Sequence, residues 1–268
     1  MTSYAIVGAS RGIGLEYVRQ LAGRPDSTVF AIVRNAAKST HLQAATKGLK
    51  NVHILEAEVT DYSTLEKAAK RISDVTGGKL DCLIHNAARM EPVPVMKGFD
   101  DYPSMDELDA DFIVSYKINA LGVIHSISAF LSLLRAAPTK KIVVISTAGA
   151  DPTFVRKAGI ANMSAYGMTK AAALIATTKY AVKLQDEGFI VVSMSPGLVD
   201  TTGTIGEKGD PEMRTLILGA AEVFKKKGVS LGAETPEQSV SAQLKLVDGL
   251  KPSDNGLFLA HTGGEYRA

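Results

Sequence analysis

The sequence has a single cysteine, Cys82, among 268 residues. One thiol cannot close an intrachain disulfide, which excludes a disulfide-stapled secreted scaffold, and zinc sites built on several cysteines are excluded with it. Tryptophan is absent, so one common stacking and interface anchor is missing. Neither sign of charge is in excess: 30 Lys and Arg stand against 28 Asp and Glu, a net charge of +2. Neither nucleic acid nor an anionic membrane is therefore an expected partner. No apolar run approaches the roughly 18–20 residues of a transmembrane helix. The N-terminus, Met-Thr-Ser-Tyr-Ala-Ile-Val-Gly, has no basic stretch followed by a separate apolar one. It enters a strand-like segment at once, so no signal or transit peptide is expected, and the expected setting is cytoplasmic.

What is present is ordinary globular composition, 46% hydrophobic and 22% charged, at a length that suits one large α/β domain. Short Val- and Ile-rich runs recur at Tyr4–Val7, Thr28–Val33, Val52–Glu56, Asp81–His85, Lys141–Ser146, Phe189–Met194 and Gly256–Ala260. Their nearly continuous hydrophobicity marks strands buried on both faces. Between them the pattern is helical. Ile13, Tyr17, Val18 and Leu21 share a face. Thr60-Asp61 caps a helix that Gly77-Gly78 ends, and Ser104 with Glu107 opens a long helix toward Arg135. Another helix spans about 164–187, ended by Gly188. Strands alternating with helices predict βαβ units, hence an α/β, doubly wound parallel sheet of about seven strands in a single domain over 1–268. The least regular stretch, 201–237, is expected to be an insertion covering the substrate at the carboxyl ends of the strands. Its Lys225-Lys226-Lys227 is read as a solvated helix face.

Two motifs carry chemistry. Strand one ends in Gly8-Ala9-Ser10-Arg11-Gly12-Ile13-Gly14, and a helix follows. Glycines let the backbone turn tightly and approach a diphosphate, while the helix start offers free N–H groups and the positive end of its dipole. The second motif is Tyr166-Gly-Met-Thr-Lys170. Residues i and i+4 share a helix face, so the ammonium is expected beside the phenol, lowering its pKa and making Tyr166 a general acid or base.

The Gly-x-x-x-Gly-x-Gly spacing and the Tyr-x-x-x-Lys pair resemble the short-chain dehydrogenase/reductase family, and the resemblance covers about residues 4–201. It implies a Rossmann fold and a nicotinamide cofactor. The second strand ends in Arg34-Asn35, 20 residues past Gly14, where NAD-preferring folds place a carboxylate. A guanidinium there, with Arg11, suits the 2′-phosphate of NADP(H). Glu58-Val59 stands where the family usually has Asp-Val at the adenine. His85-Asn86-Ala87-Ala88 resembles Asn-Asn-Ala-Gly, with Asn86 and Ala87 matching and His85 given no chemical role. Pro196-Gly197-Leu198-Val199-Asp200-Thr201 resembles the family's Pro-Gly-x-Val-x-Thr segment at the nicotinamide carboxamide.

The family ends its fifth strand in two serines and uses the second. That position is Thr147 here, with Ser146 held as the reserve. Asn119 resembles the helix asparagine that holds a water relaying protons to the lysine, and Lys170 is implied to bind the nicotinamide ribose hydroxyls as well as to tune Tyr166. The implied activity is hydride transfer between NADP(H) and a carbonyl or alcohol, most simply ketone or aldehyde reduction. An NADP(H)-binding sensor or scaffold without turnover, an enoyl reductase and a non-redox isomerase remain open at this point. The substrate pocket is expected around 91–103, 148–163 and 201–237, with Met90, Met96, Phe99, Phe154, Met213 and Leu216 suggesting a bulky, apolar compound. Apolar residues on more than one face of the 104–135 and 164–187 helices predict a homodimer or homotetramer.

Overall fold

The computed structural model describes residues 1–229 and 231–266, so Ser230 of the 201–237 stretch lies outside the described residues. Six strands, β1 (Thr2–Val7), β2 (Ser27–Val33), β3 (Val52–Glu56), β4 (Cys82–His85), β5 (Lys141–Ile145) and β6 (Ile190–Ser195), are followed by a short pair, β7 (Leu198–Val199) and β8 (Ala233–Glu234), and by β9 (Phe258–Ala260). All but the short pair form one parallel sheet in the order β3-β2-β1-β4-β5-β6-β9. The strand order reverses beside β1, which makes the carboxyl edge between β1 and β4 the crevice where such sheets bind ligands.

Among the described residues ten helices surround this sheet: α1 (Gly12–Ala22), α2 (Thr40–Thr46), α3 (Tyr62–Thr76), α4 (Pro92–Met96), α5 (Met105–Tyr116), α6 (Gly122–Ala136), α7 (Pro152–Ala158), α8 (Ser164–Leu184), α9 (Pro211–Lys226) and α10 (Pro236–Gly249). Alternate strand residues face opposite layers. Ala5 and Val7 join Leu65 and Ile72 of α3, Val123, Ile127 and Phe130 of α6 and Leu184 of α8. Tyr4 and Ile6 join Leu15 and Leu21 of α1, Leu42 of α2 and Val240 and Leu244 of α10. The seven predicted strands are all present: Val52–Glu56 has the expected ends, and the other six differ by a residue or two. The caps are built from the predicted residues: Asp61 Oδ1 accepts from Ser63 N at 3.0 Å, Gly77 closes α3 at φ +67°, and Ser104 Oγ accepts from Glu107 N at 3.2 Å.

Two features differ from the expectation. The long helix toward Arg135 is interrupted by a π turn at Lys117–Leu121, closed by Gly122 N–H on Lys117 O. Gly122 packs so closely on Val59 that a Cβ there would stand 3.0 Å from the valine's Cβ. Taken together, Met105–Ala136 is long and apolar enough by length and composition to cross a membrane, although no unbroken apolar run in the sequence suggested it. Here the apolar side of α6 is in the core, with Val123, Ile127, Phe130, Leu133 and Leu134 buried.

The 201–237 stretch is also more organised than an irregular insertion. It holds a 3-10 turn at Thr202–Thr204, α9 and β8. Phe224 of α9 meets Phe154 of α7 edge-on at 5.7 Å, over Ala148, Ala158 and Val229. Phe154 is thus buried in a small core and does not line an open pocket. Lys227 corrects the reading of the lysine run as wholly solvated: its Nζ donates to Ala158 O at 2.7 Å and so caps α7.

Candidate active site

The glycine loop after β1 is held between the loops that follow β4 and β6. Gly8 takes φ +88°, and a Cβ on it would lie 2.6 Å from Ala87 Cα. On Gly14 it would lie 2.1 Å from Gly8 O and 2.7 Å from Asn86 Nδ2. Asn86 Nδ2 donates to Gly8 O at 2.8 Å, so Asn86 and Ala87 brace the loop from the neighbouring strand. Gly12, at φ +57°, sits against the Thr201 methyl group. The α1 start carries no acidic residue in its first turn and no side-chain cap from Arg11. Ser10 and Ile13 are half-buried beside it, and Arg11 is exposed. One donor of this cradle is already engaged: Gly12 N–H donates to Thr204 Oγ1 at 2.9 Å. His41 Nε2 lies 2.7 Å from Gly206 O. The 201–206 segment therefore runs as a strap from the α1 start toward α2. A glycine cradle that no Cβ could enter, an uncapped helix start and nearby guanidinium groups fit a phosphate-bearing dinucleotide.

At the ends of β2 and β3, Arg34 is 75% exposed and its Nε lies 4.0 Å from Glu58 Oε2. An exposed pair at that distance holds the guanidinium weakly. Val59 follows Glu58 at the start of the loop into α3. Its side chain is buried against Gly122, and its carbonyl oxygen is 2.8 Å from His125 Nδ1. Both are committed to the α3–α6 side of the core.

Beyond β5, Ser146 is buried and its Oγ has no hydrogen-bond partner among the described residues. Thr147 is extended (φ −157°); its Oγ1 accepts from Gly149 N at 3.2 Å, and its hydroxyl lies close enough to the Tyr166 hydroxyl to act on its pKa. The structure thus joins Thr147, not Ser146, to Tyr166. Lys170, one turn along α8, is 2% exposed and donates from Nζ to Ile145 O at 2.7 Å; Nζ stands 6.0 Å from the Tyr166 ring centroid. Burial lowers the Lys170 ammonium to about 8. It raises the Tyr166 phenol to about 12, with the Thr147 hydrogen bond acting downward. This corrects the expected acidified tyrosine: desolvation dominates, and the ammonium is held by a strand carbonyl.

Asn119 lies on the π turn, 1% exposed. Its Oδ1 accepts from Arg89 N at 2.7 Å and its Nδ2 donates to Thr169 Oγ1 at 3.0 Å. Each end of the amide is tied to a protein group, which fixes Asn119 between the loop after β4 and α8.

The segment after β6 is braced from behind. Ser239 Oγ donates to Pro196 O at 2.6 Å. Gly197, at φ +84°, lies against the His261 ring, where a Cβ would be 2.6 Å from Cε1. His261 Nε2 is 2.8 Å from Glu234 Oε1, and β7, with Val199, pairs with β8. This positions Pro196, Gly197, Val199 and Thr201 at the carboxyl edge beside Gly12. The sequence reading missed Thr204, His261, Glu234 and Arg89. Only Arg89 had a local signal, since it directly follows Asn86-Ala87-Ala88. Thr204 reaches Gly12 across 192 residues.

With this geometry in hand, residues 3–211 match the family model described as short chain dehydrogenase. The chain is 38% identical to the short-chain dehydrogenase/reductase atnB of an Arthrinium species, over 98% of both chains. It is 34% identical to the short-chain dehydrogenase/reductase AacuF of Aspergillus aculeatus, over 99% of both. Among solved structures it resembles the NADPH-bound carbonyl reductase from chicken fatty liver, with TM-score 0.80, 22% identity and coverage of 100% of this chain and 94% of that one. It also resembles the carbonyl reductase Sniffer of D. melanogaster, with TM-score 0.77, 22% identity and full coverage of both.

Proposed function

The chain belongs to the short-chain dehydrogenase/reductase family, and on that premise we propose that it is an NADP(H)-dependent carbonyl reductase. The observation that carries this reading is the Thr147 hydroxyl set where it acts on the Tyr166 hydroxyl, with Lys170 one helical turn on, at the same sheet edge as the glycine cradle. A pure binding protein needs the cradle but not the hydroxyl pair. Structural neighbours that are carbonyl reductases, one with NADPH bound, support it.

In this reading Gly8, Ser10, Gly12, Ile13 and Gly14 receive the diphosphate. Arg34 and Arg11 hold the 2′-phosphate. Glu58 stands at the adenosine end, Asn86 and Ala87 wall the ribose side, and Pro196, Gly197, Val199 and Thr201 hold the nicotinamide end. When bound, the cofactor supplies the hydride. Tyr166, raised to about 12 by burial, keeps its proton at neutral pH. That suits a general acid delivering a proton to the substrate oxygen. Thr147 donates to the same oxygen as it becomes negative. Lys170, buried and anchored on Ile145 O, orients the ribose hydroxyls. Asn119 ties the π turn to α8 through Thr169 and fixes the floor of the site. The 201–237 stretch covers the substrate.

The test is NADPH oxidation by the purified protein over a panel of ketones and aldehydes. Turnover with alcohol as product supports the reading; NADPH binding without any turnover refutes it. We further propose a homodimer or homotetramer. Ile113, Val114 and Tyr116 on α5 and Met168, Ile175 and Val182 on α8 are large, apolar and 45–63% exposed, more than scattered surface residues need. A monomer mass by light scattering at micromolar concentration would refute this.

A further inference from the structure

Tyr166 borders a small open cleft whose walls also carry Arg89, Val95, Ser115 and Asn119. Arg89 is the one charged side chain on that wall among the described residues. A guanidinium only 15% exposed needs partners, and they are explicit. Its Nη1 donates to Asp111 Oδ1 at 2.5 Å, to Ser115 Oγ at 2.9 Å and, less directly, to Asp111 O at 3.3 Å. Its Nε donates to Glu91 Oε2 at 2.9 Å. The Tyr102 hydroxyl donates to Asp111 Oδ2 at 2.7 Å, which fixes the carboxylate in turn. The backbone N–H of Arg89 holds Asn119 Oδ1.

The residue is therefore fixed along one edge and at its backbone. Arginine has five side-chain N–H donors. Those on Nε and Nη1 are engaged, while the two on Nη2 have no hydrogen-bond partner among the described residues. An immobile donor pair beside a proton-donating tyrosine is a recognition element, because its direction is fixed before a ligand arrives and an acceptor placed there gains a charge-assisted hydrogen bond. The charge sets the kind of acceptor. Asp111 and Glu91 already meet the guanidinium, so no net positive charge remains to draw in an anion.

Resting on the carbonyl-reductase reading, we propose that Arg89 determines specificity by donating from Nη2 to a second, neutral oxygen on the substrate. The enzyme then prefers dicarbonyl or hydroxycarbonyl compounds to simple ketones of the same skeleton. The experiment compares kcat/KM for cyclohexanone with that for cyclohexane-1,2-dione and cyclohexane-1,4-dione, in the wild type and in Arg89→Lys. The lysine keeps a cation facing Asp111 and leaves the backbone N–H on Asn119 untouched, but lacks the second nitrogen of the fork. Intrinsic differences in ketone reactivity cancel when the dione-to-monoketone ratio is compared between the two proteins.

The expected result is a ratio that falls about tenfold or more in Arg89→Lys, chiefly through KM for the dione. Equal losses on both substrate classes, or an unchanged ratio, would overturn the proposal and leave Arg89 as a tie between the β4 loop and α5. If Arg89→Lys melts early, Glu91→Gln decides instead. It keeps the fork and removes one of the two negative charges that face the guanidinium, which strengthens its free N–H donors, so the ratio should rise, and an unchanged ratio overturns the proposal. A wild type that reduces none of these ketones defeats the carbonyl-reductase reading itself, a different outcome from a wild type that reduces them without Arg89-dependent selectivity.

Discussion

His85 gives the account its sharpest thermodynamic consequence. It ends β4 between Val7 of β1 and Val144 of β5, is fully buried, and neither ring nitrogen has a well-formed hydrogen bond among the described residues. Burial first, and then the Lys170 ammonium, push its pKa down from 6.5 to about 3, with the Ala87 backbone offering weak opposition. The sign follows from proton counting. As pH falls below about 6.5 the unfolded chain protonates this histidine while the folded chain does not, so stability is lost from there down to about 3. A 3.5-unit gap amounts to roughly 4–5 kcal/mol when complete, and to about 2 kcal/mol by about pH 5. His85→Leu removes the titration and keeps the site apolar. Its packing cost is common to both pH values and cancels in the difference, as do the carboxylates and other histidines. Urea unfolding at about pH 7 and about pH 5 should show the wild type losing about 2 kcal/mol more than the variant over that interval. Parallel losses in the two proteins would refute a neutral, unpartnered His85.

Two further outcomes concern cofactor and chemistry. Arg34→Asp should weaken NADPH binding at least about tenfold, or about 1.4 kcal/mol, and make NADH the tighter ligand in a fluorescence titration. Glu58→Gln, which removes the carboxylate 4.0 Å from Arg34, should shift preference the other way, and equal affinities throughout would refute the 2′-phosphate assignment. Thr147→Val should slow the chemical step about 10²–10³-fold, as loss of one oxyanion donor does, while Thr147→Ser retains substantial activity and Ser146→Ala costs little. The reverse pattern in steady-state rates would move the catalytic hydroxyl back by one residue.

What the sequence made legible was whatever local spacing controls. Strand runs, the Asp61 cap, the Gly77 stop, the glycine loop and the Tyr166–Lys170 pair depend on neighbours a few residues away. What it hid depends on tertiary packing. The i, i+4 spacing brings Lys170 near Tyr166 but does not reveal that burial outweighs it or that Ile145 O takes the ammonium. The motif at Glu58-Val59 does not reveal that Val59 packs into Gly122, nor that this contact accompanies a π turn. Thr204 on the α1 start and His261 against Gly197 are contacts between distant segments with no periodic signature. One local signal was overlooked: Thr235-x-x-Gln238, which the structure forms as a complete capping box at the start of α10.

The most direct test is Tyr166→Phe measured beside the wild type, with NADPH affinity and NADPH-dependent carbonyl reduction read in the same preparation. The ring and its packing remain, and only the proton donor and its bond to Thr147 are lost. The affinity should hold within about twofold, while the reduction rate should fall by at least about 10²–10⁴-fold. Turnover by Tyr166→Phe at the wild-type rate would contradict the assignment of Tyr166 as the general acid.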